Sequence, residues 1–263
     1  LNSEEEKFKS CSNIKAYTRA KSINIDDLLA VNKYFLTPGK RNHKSFVATY
    51  NFFMASEVMG ARPCEWKHAK IEYHAQFVMV NLINAKHTNG RAFGITRTLQ
   101  LDNSCKEEMF FINETIRFIA EIRQNCCSNE EFEEKYETRI STMQSQFRAM
   151  NKAVFPKRVK KIQLYTARHQ SAANFKSMGY SCAEIAALMG HASIDTAAAH
   201  YGKRKNGRGK KSPKVTPDPG NVARVVAMNE GRAPSRYTPS TTPLDIVSAG
   251  VSSDVTASAS GNG

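Results

Sequence analysis

The spacing of apolar residues along the chain predicts mainly helical structure. Between Lys44 and Met59 they recur at three- and four-residue steps, which marks one face of a helix, and Gly60 suits its end. The same pattern predicts a helix over about Lys106–Arg123. A further helix opens at Ser128 and ends before Pro156.

Two shorter helices follow the long ones. The first covers Thr166–Met178 and is closed by Gly179, and the second covers Cys182–Met189 and is closed by Gly190. The second opens with a capping box that begins at Ser181.

One stretch has the pattern of a β-hairpin instead. Phe77–Ile83 reads as a strand, Asn89-Gly90 is a tight-turn pair, and Gly94–Leu101 reads as the returning strand. The predicted fold class is therefore mainly α with a small antiparallel β-sheet (α+β).

The patterned core runs from residue 25 to residue 202. Residues 1–24 are polar and weakly patterned, and beyond Lys203 a basic, glycine-punctuated run leads into a Pro-, Ser- and Gly-rich end. Such a segment buries too little apolar surface to offset its ordering entropy, so we expect residues 203–263 to be disordered. A short helix around Asn221–Met228 is the one element that the pattern allows there.

The net charge of the chain indicates what kind of molecule it binds. The formal net charge is +14 over 263 residues, which favours a polyanion, most often nucleic acid. The alternatives are an anionic membrane surface, an acidic protein, or a basic tail on an otherwise neutral domain.

The sequence gives no sign of membrane insertion or of export. No apolar run approaches the roughly 20 residues that span a bilayer, and the first residues do not form a signal peptide. The six cysteines form neither a CxxC pair nor a zinc-ligand spacing, so we expect reduced thiols in a cytoplasmic protein. Because the chain does not begin with Met, we expect it to be part of a longer protein.

The densest group of chemically capable residues lies late in the core. It comprises Tyr165-Thr166-Ala167-Arg168-His169, then Gly190-His191, then His200-Tyr201. Taken singly, each has an ordinary structural explanation. The arginine can be solvated, the histidine can close a helix, and the tyrosine can pack in the core.

Their order and spacing resemble those of tyrosine site-specific recombinases and phage-type integrases. The segment 164–173 is similar to the H-x-x-R-H-T-x-A helix of that family, and 190–196 is similar to its G-H-x-S-x-x-T box. His191 lies 23 residues after Arg168, the usual interval. Tyr201 lies ten residues past His191, where many members have nine.

The resemblance extends upstream. Residues 59–65 look like the T-G-x-R-x-x-E signature, with Arg62 as the first catalytic arginine and Glu65 as the acid that orients it. Lys86, on the predicted hairpin, matches the catalytic lysine. We expect Arg91 and Arg97 to contact backbone phosphates or to face water.

One position departs from the family pattern. Tyr165 stands where the family usually has His or Lys, three residues before Arg168. A phenol can donate a hydrogen bond to a phosphate, but its pKa near 10 makes it a poor general base at neutral pH. His169 is adjacent, yet it lies one residue further along the helix and is expected to point elsewhere, so its role stays open.

The resemblance implies a mechanism and a fold. Arg62 and Arg168 would clamp the non-bridging oxygens of a phosphodiester, Tyr201 would attack phosphorus, and Lys86 would protonate the leaving 5′ oxygen. His191 would donate to a phosphate oxygen and orient Tyr201. The family uses neither a metal nor a nucleotide and forms a 3′-phosphotyrosyl intermediate.

The resemblance also implies partners and origin. We expect a recombinase catalytic-domain fold over 25–202, with 1–24 as the remnant of, or linker from, an N-terminal DNA-binding domain. The expected partner is double-stranded DNA, bound by a homo-tetramer on two sites, and the expected source is bacterial, phage or mobile-element DNA. The alternatives are a type IB topoisomerase, a hairpin telomere resolvase, or a catalytically silent DNA-binding relative.

Overall fold

The computed structural model describes residues 19–39 and 42–231, apart from the side chains of residues 197–199 and 210. The expectations for residues 1–18 and 232–263 therefore lie outside the described residues.

Eight α-helices and four short 3₁₀ helices occur in the described ranges. The α-helices are α1 (Ile25–Leu36), α2 (His43–Met59), α3 (Lys106–Gln124), α4 (Asn129–Val154), α5 (Leu164–Met178), α6 (Cys182–Met189), α7 (Asp195–His200) and α8 (Pro219–Ala227). The predicted helix ends are confirmed where they matter for the site. Gly60 ends α2 and Gly190 ends α6, both in the left-handed conformation that favours glycine.

Four strands form one antiparallel sheet in the order β1-β2-β3-β4. They are β1 (Lys70–Tyr73), β2 (Phe77–Ile83), β3 (Thr96–Asp102) and β4 (Val215–Pro217). Val80 faces Leu99 across the central pair, and alternate residues of β2 and β3 are buried. This period-2 burial is typical of a sheet with one face on the core. The α+β fold class with a small antiparallel sheet is confirmed.

Helix α2 is the centre of the helical layer. It packs against α1, α3, α4 and α5, and its second half is buried around the helix, including Phe52, Phe53 and Met59. A helix that is buried on every side cannot show a clean amphipathic stripe. Trp66, fully buried in the turn after α2, donates its indole N–H to Ser56 Oγ at 2.8 Å.

The part of the chain after Lys203 differs from the disorder that the sequence predicted, as far as residue 231. Strand β4 pairs with β3, Val215 is fully buried, and α8 lies against α6. The physical reason is the burial of a few apolar side chains, which the overall composition of this segment does not reveal. Val222 and Val225, one helical turn apart, pack with Phe93 and with α6. The predicted helix near Asn221–Met228 is confirmed, and Asp218 caps it by accepting a hydrogen bond from Asn221 N.

In the part of the chain that the structure describes, none of the helices combines the length and the apolar character that crossing a bilayer requires.

We predict that strand β4 contributes to global stability. Val215→Asp places a charge in the core and should lower the free energy of unfolding by at least about 3 kcal/mol. The neighbouring residue Thr216 is exposed, so Thr216→Asp should cost less than about 1 kcal/mol. Urea denaturation followed by circular dichroism measures both. Equal effects from the two substitutions would contradict the packing of β4.

Candidate active site

One cleft gathers the residues that the sequence singles out. Arg62, Lys86, Tyr165, His191 and Tyr201 all line a cavity of about 1350 Å³, and Arg168 lies fully buried behind its wall. They come from five separate places in the chain: the turn after α2, the β2–β3 loop, α5, the end of α6 and the end of α7.

The phenol of Tyr201 lies among three polar groups. Its Oη is 3.0 Å from the Tyr165 hydroxyl, 3.3 Å from Arg168 Nε and 3.3 Å from His191 Nε2. These are hydrogen-bonding distances, although the two longer contacts are at the weak end of the range. The nucleophile candidate therefore touches an arginine and a histidine that lie 33 and 10 residues away along the chain.

Arg168 is held by the ends of two helices. Its Nη1 donates to the carbonyl of Gly60, and its Nη2 donates to the carbonyl of Met189 at 2.5 Å. The carbonyl ends of α2 and α6 carry partial negative charge, which stabilises a buried guanidinium. Because both Nη groups are engaged, the Nε–H is the donor that remains directed at Tyr201.

His191 is neutral and its tautomer follows from its neighbours. Arg168 Nη2 lies 3.0 Å from His191 Nε2, and a guanidinium can only donate, so Nε2 accepts and the proton resides on Nδ1. Burial, followed by the charges of Arg168 and Arg62, holds the pKa of His191 well below its ordinary value. Its Nε2 lone pair is therefore the group that faces the Tyr201 phenol.

One buried carboxylate, that of Glu65, is shared by three arginines. It accepts from Arg62 Nη1 at 2.5 Å and from Arg97 Nη2 at 2.7 Å, and its Oε2 lies 3.5 Å from Arg168 Nη1. Burial opposes ionisation, but Arg97, Arg168 and Arg62 together hold the pKa of Glu65 far below its ordinary range. The expected role of Glu65 beside Arg62 agrees with this geometry and extends to two further arginines.

The prediction that Arg97 contacts phosphates or faces water is wrong. Its side chain is fully buried, with Nη2 on Glu65 and Nη1 on Asn84 Oδ1 at 2.6 Å. The sequence did carry a signal, because Arg97 has the same strand parity as the buried Leu99 and Leu101. Arg91, in contrast, is exposed and lines the cleft.

The hairpin that carries Lys86 is tied to the same carboxylate. Ala85 N donates to Glu65 Oε1 at 3.2 Å, and Asn84 N donates to Ile95 O across the loop at 2.8 Å. Lys86 itself is exposed at the cleft rim. Its backbone is therefore positioned by Glu65 while its ammonium group is free to move toward a ligand.

The expectation that His169 points away from the site is wrong. Its ring packs against the rings of Tyr201 and Tyr165, with centroid distances of 5.0 Å and 5.2 Å. Burial, with the charges of Arg19 and Lys21, lowers the pKa of His169 to about 3. It is a neutral packing partner of both phenols at physiological pH.

The two phenols differ in acidity. Burial raises the pKa of Tyr165. Burial also disfavours the Tyr201 phenolate, but Arg168, Arg62 and the Tyr165 hydrogen bond outweigh it and bring the pKa of Tyr201 to about 8. Tyr201 is therefore the phenol that ionises more easily and is the better nucleophile.

The cleft has a strongly positive lining. Among the described residues that line it, eight are lysine or arginine and none is aspartate or glutamate: Arg19, Lys21, Arg62, Lys86, Arg91, Arg158, Lys160 and Lys203. A concave surface of one charge sign concentrates ligands of the opposite sign. The arrangement suits an anionic ligand.

No protein-family model, curated protein or solved structure matches this chain.

We predict that Glu65 stabilises the fold at neutral pH. Glu65→Gln leaves three arginines without their shared carboxylate and should lower the free energy of unfolding by about 3 kcal/mol. Glu134→Gln, at an exposed site on α4, is the control and should change it by less than about 0.5 kcal/mol.

The effect of Glu65 should also depend on pH. Because folding lowers its pKa, its contribution is present above about 4.5, the ordinary value of glutamate, and is lost as the pH falls. Urea denaturation at pH values of about 3 and 7 measures the upper part of this loss, because the contribution is complete at the higher pH and partly lost at the lower one. A gap between wild type and Glu65→Gln that widens on acidification would contradict the assignment.

Proposed function

We propose that this chain is the catalytic domain of a tyrosine site-specific recombinase that cuts and rejoins double-stranded DNA through a 3′-phosphotyrosyl intermediate. The observation that carries the proposal is the contact of the Tyr201 phenol with Arg168 and His191 inside a cleft lined by eight cations. The recombinase catalytic-domain fold belongs to the same proposal.

In the first step the Tyr201 oxygen attacks phosphorus and the bond to the 5′ oxygen breaks. The scissile phosphate becomes a phosphotyrosyl ester, and the leaving 5′ oxygen takes a proton from Lys86, the exposed cation at the rim. In the second step a 5′ hydroxyl attacks this ester, and the Tyr201 phenol is released. The number of phosphodiester bonds is conserved, so no external energy source is needed.

Two arginines supply donors to the phosphate in different ways. Arg168 contributes its Nε–H, because its Nη groups hold Gly60 and Met189. Arg62 has a buried Nε that meets no acceptor within the described residues, while its Nη1 is held by Glu65. An unsatisfied buried N–H is costly unless a ligand accepts from it, and a phosphate oxygen fits that need. Fixed donors of this kind contribute a few kcal/mol each to a transition state.

His191 is the proposed acceptor of the phenolic proton. Tyr165 is a poor base, whereas the unprotonated Nε2 of His191, which also accepts from Arg168 Nη2, lies 3.3 Å from Tyr201 Oη. A bound phosphate anion raises the basicity of the imidazole by opposing the charges of Arg168 and Arg62. Tyr165 then serves as a hydrogen-bond partner that keeps the Tyr201 oxygen in place.

We predict that a nicked duplex that loses its 5′ fragment traps a covalent protein–DNA complex. Tyr201→Phe should abolish it, because the attacking oxygen is removed. Tyr165→Phe should keep it, with a rate lowered by about tenfold through loss of the hydrogen bond that orients Tyr201. Denaturing gel electrophoresis measures both rates.

Comparing the Tyr201→Phe and Tyr165→Phe variants shows which tyrosine forms the covalent bond. A covalent band from Tyr201→Phe would reject Tyr201 as the nucleophile. No band from wild type on any bound duplex would favour a silent DNA-binding relative.

We further propose that the product is recombination between two sites by a tetramer, with the protein encoded by a bacterial, phage or mobile element and acting in the cytoplasm. Wild type should join two copies of its target duplex and should elute with DNA as a four-subunit complex. Plasmid relaxation without joining would instead identify a type IB topoisomerase, and sealed hairpin ends would identify a telomere resolvase. Two-site joining and relaxation assays, with Tyr201→Phe as the control, separate these outcomes.

A further inference from the structure

The chain directly after Tyr201 is fastened to the helix that carries Arg168. We call residues 202–208 the anchor segment. At Gly202 the backbone approaches α5 so closely that a Cβ atom would lie 2.4 Å from the His169 carbonyl oxygen and 2.9 Å from the Lys21 carbonyl oxygen. Glycine is therefore required by contact at this position, one residue from the proposed nucleophile.

A buried lysine holds the same peptide. Lys176 Nζ donates to the Gly202 carbonyl at 2.9 Å, and Lys176 is only 3% exposed. Burial lowers the pKa of this ammonium group to about 8. Burying an amine costs free energy, so the bond to Gly202 is a contact that the fold maintains at the expense of solvation.

The rest of the anchor segment is fastened in the same way. A Cβ atom at Gly207 would lie 2.2 Å from the Ala173 carbonyl, and Gln170 Nε2 donates to the Asn206 carbonyl at 2.9 Å. The segment ends in an ion pair between Arg208 and Glu57, which is buried on α2.

Helix α5 therefore contacts both the phenol of Tyr201 and the anchor segment. One part of its surface places Tyr165 and Arg168 next to the phenol of Tyr201. Another part, formed by Gln170, Ala173 and Lys176, contacts the chain that follows Tyr201. Because one rigid helix fixes both the guanidinium and the peptide behind the nucleophile, their separation is set by helix geometry. Displacements of about 1 Å at reacting atoms can cost about a hundredfold in rate.

We propose that the anchor segment positions the Tyr201 oxygen against Arg168 and His191, with Lys176 as its principal positioning residue. This inference rests on the proposed function for its effect on cleavage. It also commits each Tyr201 to the cleft of its own chain.

The first test is the rate of single-turnover cleavage of the nicked duplex, measured beside the Kd for the same DNA. Lys176→Met removes the donor and should lower the cleavage rate by about tenfold or more, with Kd changed less than about twofold. Lys176→Arg keeps a donor and should recover most of the rate. Lys33→Met, at an exposed site on α1, removes the same charge and should leave both quantities unchanged.

The second test needs no DNA. Ultraviolet difference spectra of each variant against its Tyr201→Phe counterpart give the pKa of the Tyr201 phenol. Loosening the anchor segment should move this pKa from about 8 toward 10, the ordinary value of tyrosine, because the phenol leaves Arg168. If Lys176→Met does not fold, the double substitution Glu57→Gln with Arg208→Gln releases the far end of the segment while removing both charges of the ion pair together.

The outcomes separate the two proposals. If wild type forms no covalent complex, the proposed function fails, and the phenol pKa still tests the anchor segment. If wild type cleaves and a folded Lys176→Met variant keeps both its rate and its phenol pKa, the inference is overturned. It is equally overturned if rate and DNA affinity fall together, since positioning acts on the bound state.

Discussion

The site depends on the attraction between Glu65 and three arginines. Arg62, Arg97 and Arg168 lie close together in a nearly dry part of the protein, where like charges repel strongly. One carboxylate cannot neutralise three guanidiniums, so the cluster keeps a surplus of positive charge beside the cleft. That surplus lowers the pKa of the Tyr201 phenol and favours an anionic ligand. Glu65 thus permits the arginines to be buried without cancelling their charge.

The ends of helices provide the second source of order. Arg168 is held by carbonyls at the C-terminal ends of α2 and α6, and each end is turned by a left-handed glycine. A Cβ atom at Gly190 would lie 2.2 Å from Asn84 Oδ1 and 2.9 Å from Arg97 Nη1. The same glycine therefore ends a helix, admits the Arg97–Asn84 pair and leads directly into His191. Local backbone requirements and site chemistry coincide at this point.

The site divides into a rigid interior and an adaptable rim. Arg168, His191 and Glu65 are buried and engaged with the protein, whereas Lys86 and Arg91 are exposed on the β2–β3 loop. A buried interior keeps donors in fixed directions, which is what stabilises a transition state. An exposed lysine keeps the reach needed to follow a leaving group. The division matches the different tasks proposed for these residues.

The sequence by itself determined several of the elements and most of the candidate site. Helical periodicity, glycine ends and the hairpin pattern are local properties, and they placed Gly60, Gly190 and the β2–β3 pair correctly. The six candidate residues were also named from spacing and resemblance; five of them line one cleft, and Arg168 lies buried behind its wall.

Only the tertiary structure decided how those residues are used. It buried Arg97 against Glu65, turned His169 onto the phenols and engaged both Nη groups of Arg168. It also paired the chain after Lys203 with β3 as strand β4 and packed α8 against α6. Each of these depends on a partner from a distant part of the chain. A pattern of neighbours along the sequence reports which face of an element is apolar, but it cannot report which charge or carbonyl that face will meet, because that is settled only when the elements pack together.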